Sequence, residues 1–216
     1  NADVISGQTA LAAEPADTDE FLVSDAGVLK RIDYSLIKPS SSLVKIATAD
    51  YSSGATSFTY SDCFSSTYAL YKVYFYDITI TSTDNEIRAY FQDSSNADVN
   101  GWTDTAVYGY ISDSGGSAGS GSEAGGVSDY IRIGHSDFDD TANEVSAIEM
   151  TIYQPYESTN TIVSYNCQLR GDNSHFYSIY GGSRHASTTS LRNLKFQTSA
   201  SDNFQSYKSV IYGIKR

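Results

Sequence analysis

Apolar and polar residues alternate with a period of two along most of this chain. In "TIVSYNCQLR" (161–170), Val163, Tyr165, Cys167 and Leu169 fall on one side, and Ser164, Asn166, Gln168 and Arg170 on the other. That is the period of a half-buried strand. Ile148, Met150 and Ile152 alternate in the same way against Glu149, Thr151 and Tyr153, and Phe204, Val210, Tyr212 and Ile214 mark a further apolar face near the C-terminus. Ten such runs, from "SFTYSDCF" (57–64) to "SYKSVIYGIK" (206–215), are separated by Gly, Asn, Asp and Ser clusters. This is the spacing expected of an all-β fold in which two antiparallel sheets pack their apolar faces together as a β-sandwich. No segment carries a helical stripe, and no internal repeat suggests a solenoid or propeller.

The first 38 residues differ in character. They contain the Ala-rich "TALAAEPA", few aromatics, and two apolar runs, "EFLV" and "VLKRI", on either side of "SDAG". Ser, Asp and Gly suit a tight turn with Gly27 at positive φ, so a single β-hairpin is expected. The domain reading is therefore an N-terminal hairpin module over 1–38, a "PSSS" linker over 39–42, and the sandwich over 43–216. A two-stranded hairpin is marginal by itself in water. Phe21, Leu22, Val23, Leu29, Ile32 and Tyr34 are expected to find their core against the following domain or sister copies, which makes the module one of oligomerisation or attachment. Residues 114–126, "SGGSAGSGSEAGG", read as a mobile Gly/Ser connection between two strands.

Composition narrows the partners. The 216 residues carry 26 acidic and 14 basic side chains, a formal charge of −12, with no Lys/Arg cluster. Such a chain repels nucleic acid and anionic membrane surfaces. It has no run of 18 apolar residues, so no membrane insertion is expected and the chain reads as soluble. Cys63 and Cys167 lie far apart with no metal-ligand spacing; they read as buried thiols in preference to a disulfide.

Chemical motifs fare poorly. "GGSAG" (115–119) matches G-x-S-x-G but has neither the strand before it nor the helix after it that a nucleophile elbow needs. "NADVNG" (96–101) resembles half a calcium loop, yet Val107 stands where the bidentate Glu belongs. "HSDFDD" (135–140) lacks the paired histidines of a helical zinc motif. No enzyme activity, cofactor or metal is expected. The enriched resource is aromatic: 18 Tyr, 9 Phe and one Trp. Trp102 sits among turn formers in "DVNGWTDT", where an exposed ring beside Asn and Asp would stack on a sugar face. Trp102 and Asp104, together with Tyr177, Tyr180, Arg184 and His185 of "HFYSIYGGSRH", are the candidate glycan-binding residues.

Residues 5–38, "ISGQTALAAEPADTDEFLVSDAGVLKRIDYSLIK", resemble a short module of tailed-bacteriophage structural proteins, especially tail fibres, where "PADTDEFLISDAGTLKRIDYSYI"-like text precedes a variable distal domain. The C-terminal "TSLRNLKFQTSASDNFQSYKSVIYGIK" is similar to the closing strands of phage jelly-roll, lectin-like domains, although Ser206, Ser209 and "VIYGIK" replace the usual glycine and leucine. The resemblance implies a virion appendage protein, usually a homotrimer. Its N-terminal module would face other virion proteins and its sandwich would meet host-surface polysaccharide. A head fibre or decoration protein with a purely structural role is the alternative.

Overall fold

The computed structural model describes residues 11–38, 42–51, 54–81, 85–112, 115–138, 146–171, 175–199 and 202–215. The chain separates into two compact units, residues 1–41 and 42–216. The "PSSS" linker lies largely outside the described residues.

In the first unit, β1 (Glu20–Asp25) and β2 (Val28–Asp33) pair antiparallel from Glu20↔Asp33 to Asp25↔Val28, followed by the one-turn helix α1 (Tyr34–Ile37). The two-residue turn places Ala26 at φ +48 and Gly27 at φ +84, the double positive-φ geometry that matches the twist of a tight hairpin. The Tyr34 amide donates to the Asp19 carbonyl at 2.7 Å, which ties the helix back to the segment before β1. The expected hairpin is present, but its apolar residues do not form one set. The register puts Phe21, Val23 and Ile32 on one face, beside the Tyr34 ring at 6.0 Å from Phe21, and Leu22 and Leu29 on the other. A flat ribbon has two sides, and successive residues alternate between them. None of the described residues 11–38 is buried.

The second unit is the all-β antiparallel sandwich. Its strands are β3 (Leu43–Tyr51), β4 (Ser57–Tyr60), β5 (Tyr68–Ile80), β6 (Asn85–Gln92), β7 (Trp102–Ser112), β8 (Ala118–Ala124), β9 (Ile131–Phe138), β10 (Ser146–Tyr153), β11 (Thr161–Gly171), β12 (His175–His185), β13 (Asn193–Thr198) and β14 (Phe204–Lys215). One sheet runs β3-β14-β5-β10-β11-β12-β7-β8 and the other β9-β6-β13-β4, with a single β11–β9 pair, Gly171↔Phe138, joining them. Their inner faces meet through aromatic contacts: Phe75 on Phe196 at 5.0 Å, Phe58 on Tyr207 at 4.3 Å and Phe91 on Trp102 at 4.5 Å. Both cysteines are free and buried in this core; burial pushes the Cys63 thiol up to about 12 and the Cys167 thiol higher still.

The sandwich corrects two expectations. The Gly/Ser tract contains strand β8, paired with β7 from Thr105↔Ala124 to Ile111↔Ala118. A side chain built on Gly121 would collide with the Tyr108 ring, and one on Gly119 with the Tyr110 ring, so the glycines leave room for tyrosines lying across the edge strand. The "GGSAG" motif accordingly leads into a strand, not a helix. The last strand also faces the other way: Tyr207, Ser209 and Ile211 are buried, whereas Val210, Tyr212 and Ile214 point outward. A register change between Ile211 and Tyr212 on the β3 side and further shifts against β5 accompany this orientation. Strand identity was clear from the residues there; the buried side was not.

Candidate functional site

The outer face of the eight-stranded sheet carries the candidate site. In β5, Tyr71, Val73 and Phe75 fill the core, so strand alternation sends Lys72, Tyr74 and Tyr76 outward. Cross-strand register then lines up a polar and aromatic row. Val210 of β14 lies opposite Tyr74, Tyr74 opposite Glu149, Glu149 opposite Asn166, Asn166 opposite Tyr180, and Tyr180 opposite Val107. Tyr212 meets the Tyr74 ring edge-on at 6.1 Å.

Three adjoining hollows run along this row. The first, about 550 Å³, is lined by Tyr74, Tyr76, Glu149, Asn166, Gln168 and Tyr212 among others. The second, about 400 Å³, shares Glu149 and Asn166 with it and reaches Tyr180 and Gly181. The third, about 250 Å³, continues from Tyr180 to Val107. From β14 to β7 the groove crosses six strands, about 24 Å at the usual strand spacing.

Its polar groups are held in place. Lys72 Nζ donates to Glu149 Oε1 at 2.6 Å, and that bond holds the ammonium above its ordinary pKa. Gln168 Nε2 donates to Asn166 Oδ1 at 3.0 Å and to Ser178 Oγ at 2.9 Å. The amide group of Asn166 and the carbonyl of Gln168 remain available to a ligand. Gly181, on the strand positions that face inward, leaves room for the buried Tyr165 ring on the inner side of the sheet; an added Cβ would come within 2.1 Å of that ring.

The six residues expected to bind glycan divide between the two faces of this sheet. Tyr180 is 58% exposed, and Arg184 also stands outside. Trp102, at 0% exposure, is not the exposed ring expected: it stacks between Phe91 at 4.5 Å and His185 at 4.9 Å. His185 is equally buried, with Nε2 bonded to the Asn100 carbonyl at 2.9 Å, and Tyr177 is buried as well. Trp102 opens a strand, so its ring follows the strand's inward side and not the polar turn before it. Asp104 shares that inner side. Of the six, Tyr180 alone lines the groove. The pattern that could have located the site was the other half of the alternation in "LYKVYFYDITI", where Lys72, Tyr74 and Tyr76 recur on the side opposite Val73 and Phe75.

Asp104 belongs to a separate hollow of about 250 Å³, lined also by Glu123, Gly125, Tyr130 and Arg132. Burial pushes its carboxyl up, with Arg132 pulling it down. Nearby, the buried Glu86 pairs with Arg88 and with Arg132 at 2.7 Å, and Arg132 reaches Glu123 at 3.3 Å. The Arg88 guanidinium lies 4.4 Å over the Tyr130 ring. This network has a structural role, because removing one partner would leave a buried charge uncompensated.

The calcium-like loop is occupied by its own side chains. Asp93 Oδ1 accepts from the Ser95 and Ala97 amides, Asn96 Oδ1 from Asn193, and Asp98 from Gln92 and Lys195. Among the described residues no group of three or more metal-ligating side chains comes together. The "HSDFDD" side chains lie outside the described residues.

No family model matches the chain, and no curated protein matches it. A solved structure, the D431N mutant VP2 protein of infectious bursal disease virus in derived T=1 particles, aligns at 11% identity over 92% of this chain and 46% of its own, with a TM-score of 0.12. The chain thus spans about half of that protein's length, and at this TM-score the likeness carries no argument about fold or function.

Proposed function

We propose that the chain is a subunit of an oligomeric virion appendage of the tailed-phage kind, that its sandwich holds a host-surface glycan in the outer groove, and that its hairpin unit joins copies and attaches them to the particle. The observation that carries the glycan reading is the groove itself: Tyr74, Tyr76, Tyr180 and Tyr212 line it with Asn166, Gln168 and the Lys72–Glu149 pair between them. Tyrosines offer flat apolar faces to sugar C–H groups, and fixed amides and charges offer hydrogen bonds to hydroxyls. The phage setting rests on the resemblance of residues 5–38 to fibre modules, and the assembly role on a hairpin unit in which none of the described residues 11–38 is buried.

A second reading, a head fibre or decoration protein that binds no receptor, draws on Val107, Ile111 and Phe176, which form an exposed apolar group on β7 and β12 suited to a protein neighbour. Binding of the intact chain to an array of bacterial surface polysaccharides separates the two. Tyr180→Ala and Tyr74→Ala are each expected to weaken retention at least tenfold while leaving thermal stability close to wild type. Retention of no polysaccharide, or retention indifferent to both substitutions, would remove the glycan reading and favour the structural one.

A further inference from the structure

Resting on the glycan reading, we infer that the groove selects an uncharged polysaccharide several sugar units long and excludes acidic ones, with the Lys72–Glu149 pair as the selecting element. The charged side chains among the residues lining the three hollows are Lys72 and Glu149, and they neutralise each other at 2.6 Å. Every other polar side chain along the groove is an amide or a hydroxyl. Further outward cations stand beside the lining: Arg170 and Arg184 on flanking rows, and the exposed Lys45 of β3 opposite Tyr212 at the β14 end. A carboxylate or sulfate in the central part of the groove would meet, among the lining residues, no cation but the already paired Lys72, would lose hydration without a compensating pair, and would approach a chain of net charge −12.

Hydroxyls have the opposite fit. Glu149 accepts and Lys72 donates within one short span, beside the free donor of Asn166 and the free acceptor of Gln168. A row of neighbouring hydroxyls presents the same mixture of donors and acceptors. The length of the groove, about 24 Å across six strands, calls for an internal stretch of a chain and not a terminal sugar.

The test measures equilibrium binding of the full chain to purified neutral polysaccharides, polyuronates and sulfated polysaccharides at low and high salt, together with the Glu149→Gln variant. Wild type is expected to retain neutral chains with affinity changing less than about twofold with salt, since little charge is neutralised on binding. Fragments of one or two sugars should bind at least tenfold more weakly than longer ones. Glu149→Gln frees the Lys72 ammonium and should raise affinity for polyuronates at least tenfold, an increase that high salt reverses. Tight, salt-sensitive binding of an acidic chain by the wild type overturns the inference while leaving the glycan reading intact. A Glu149→Gln variant that gains nothing overturns the role given to the pair. Binding of no polysaccharide of any charge sinks the glycan reading itself.

Discussion

Trp102→Ala is expected to unfold the sandwich at a much lower denaturant concentration, losing about 3–5 kcal/mol of stability, the range for truncating a large buried aromatic. The ring is wholly enclosed, with Phe91 of the smaller sheet on one side and His185 of β12 on the other, and Gly101 at φ +109 brings the chain into this position beside the His185 ring. Removing the indole opens a cavity between the two sheets at the start of β7, where neighbouring strands cannot close in without breaking register. In a domain of this size the loss corresponds to a fall in melting temperature of about 6–20 °C. Urea unfolding followed by circular dichroism measures it. Trp102→Phe should recover part of the loss, because it restores an aromatic plane between Phe91 and His185. A Trp102→Ala protein as stable as the wild type would mean that the ring is not in the core. Any loss of glycan binding in this variant follows from lost structure, in contrast to Tyr180→Ala, which removes an exposed ring.

The hairpin unit supports the second large effect: Leu22→Asp combined with Leu29→Asp is expected to turn an oligomer into monomers. These leucines are 72% and 69% exposed on the face of the ribbon away from Tyr34. Covering each side chain in an assembly is worth about 1.5–3 kcal/mol per copy, while burying an unpaired carboxylate there is strongly unfavourable. Two such changes in every subunit exceed the margin of an interface built on so small a module. Sedimentation velocity over a range of concentrations reads the outcome. A wild-type chain that remains monomeric when concentrated, or a double variant that stays assembled, contradicts the assembly role.

The architecture was largely legible from residue pattern because burial of one strand face leaves a period-two trace. Val163, Tyr165, Cys167 and Leu169 point inward as their alternation requires. What escaped was whatever depends on a partner strand. β8 looks like a flexible tract because its glycines have no side chains to read; their meaning lies in Tyr108 and Tyr110 on the neighbouring strand. The edge strand β3 escaped because Ala47, Ala49 and Lys45 give a weak contrast between faces. The buried side of β14 is not legible in the sequence because Val210, Tyr212 and Ile214 are apolar yet outward, while the inward row includes Ser209 and Gly213.

The site was less legible than the fold. An aromatic residue in a polar turn drew attention to Trp102, but side-chain direction is set by strand register, and Trp102 is the first residue of β7. Tyr74, Glu149, Asn166 and Tyr180 come from four strands spread over more than a hundred positions, and only the sheet order places them in one row. No local motif marks such a site. It becomes visible once the cross-strand partners are known.

The most direct test of the central claim is a titration of the full chain, labelled with fluorotyrosine, with a polysaccharide that it retains. The fluorine resonances of Tyr74, Tyr76, Tyr180 and Tyr212 are expected to move together and saturate at one affinity, while those of the core residues Tyr60, Tyr71 and Tyr207 stay fixed. Saturating shifts confined to Tyr90 and Tyr130, near the Arg88–Glu86–Arg132 network, with the four groove tyrosines unmoved, would contradict the account.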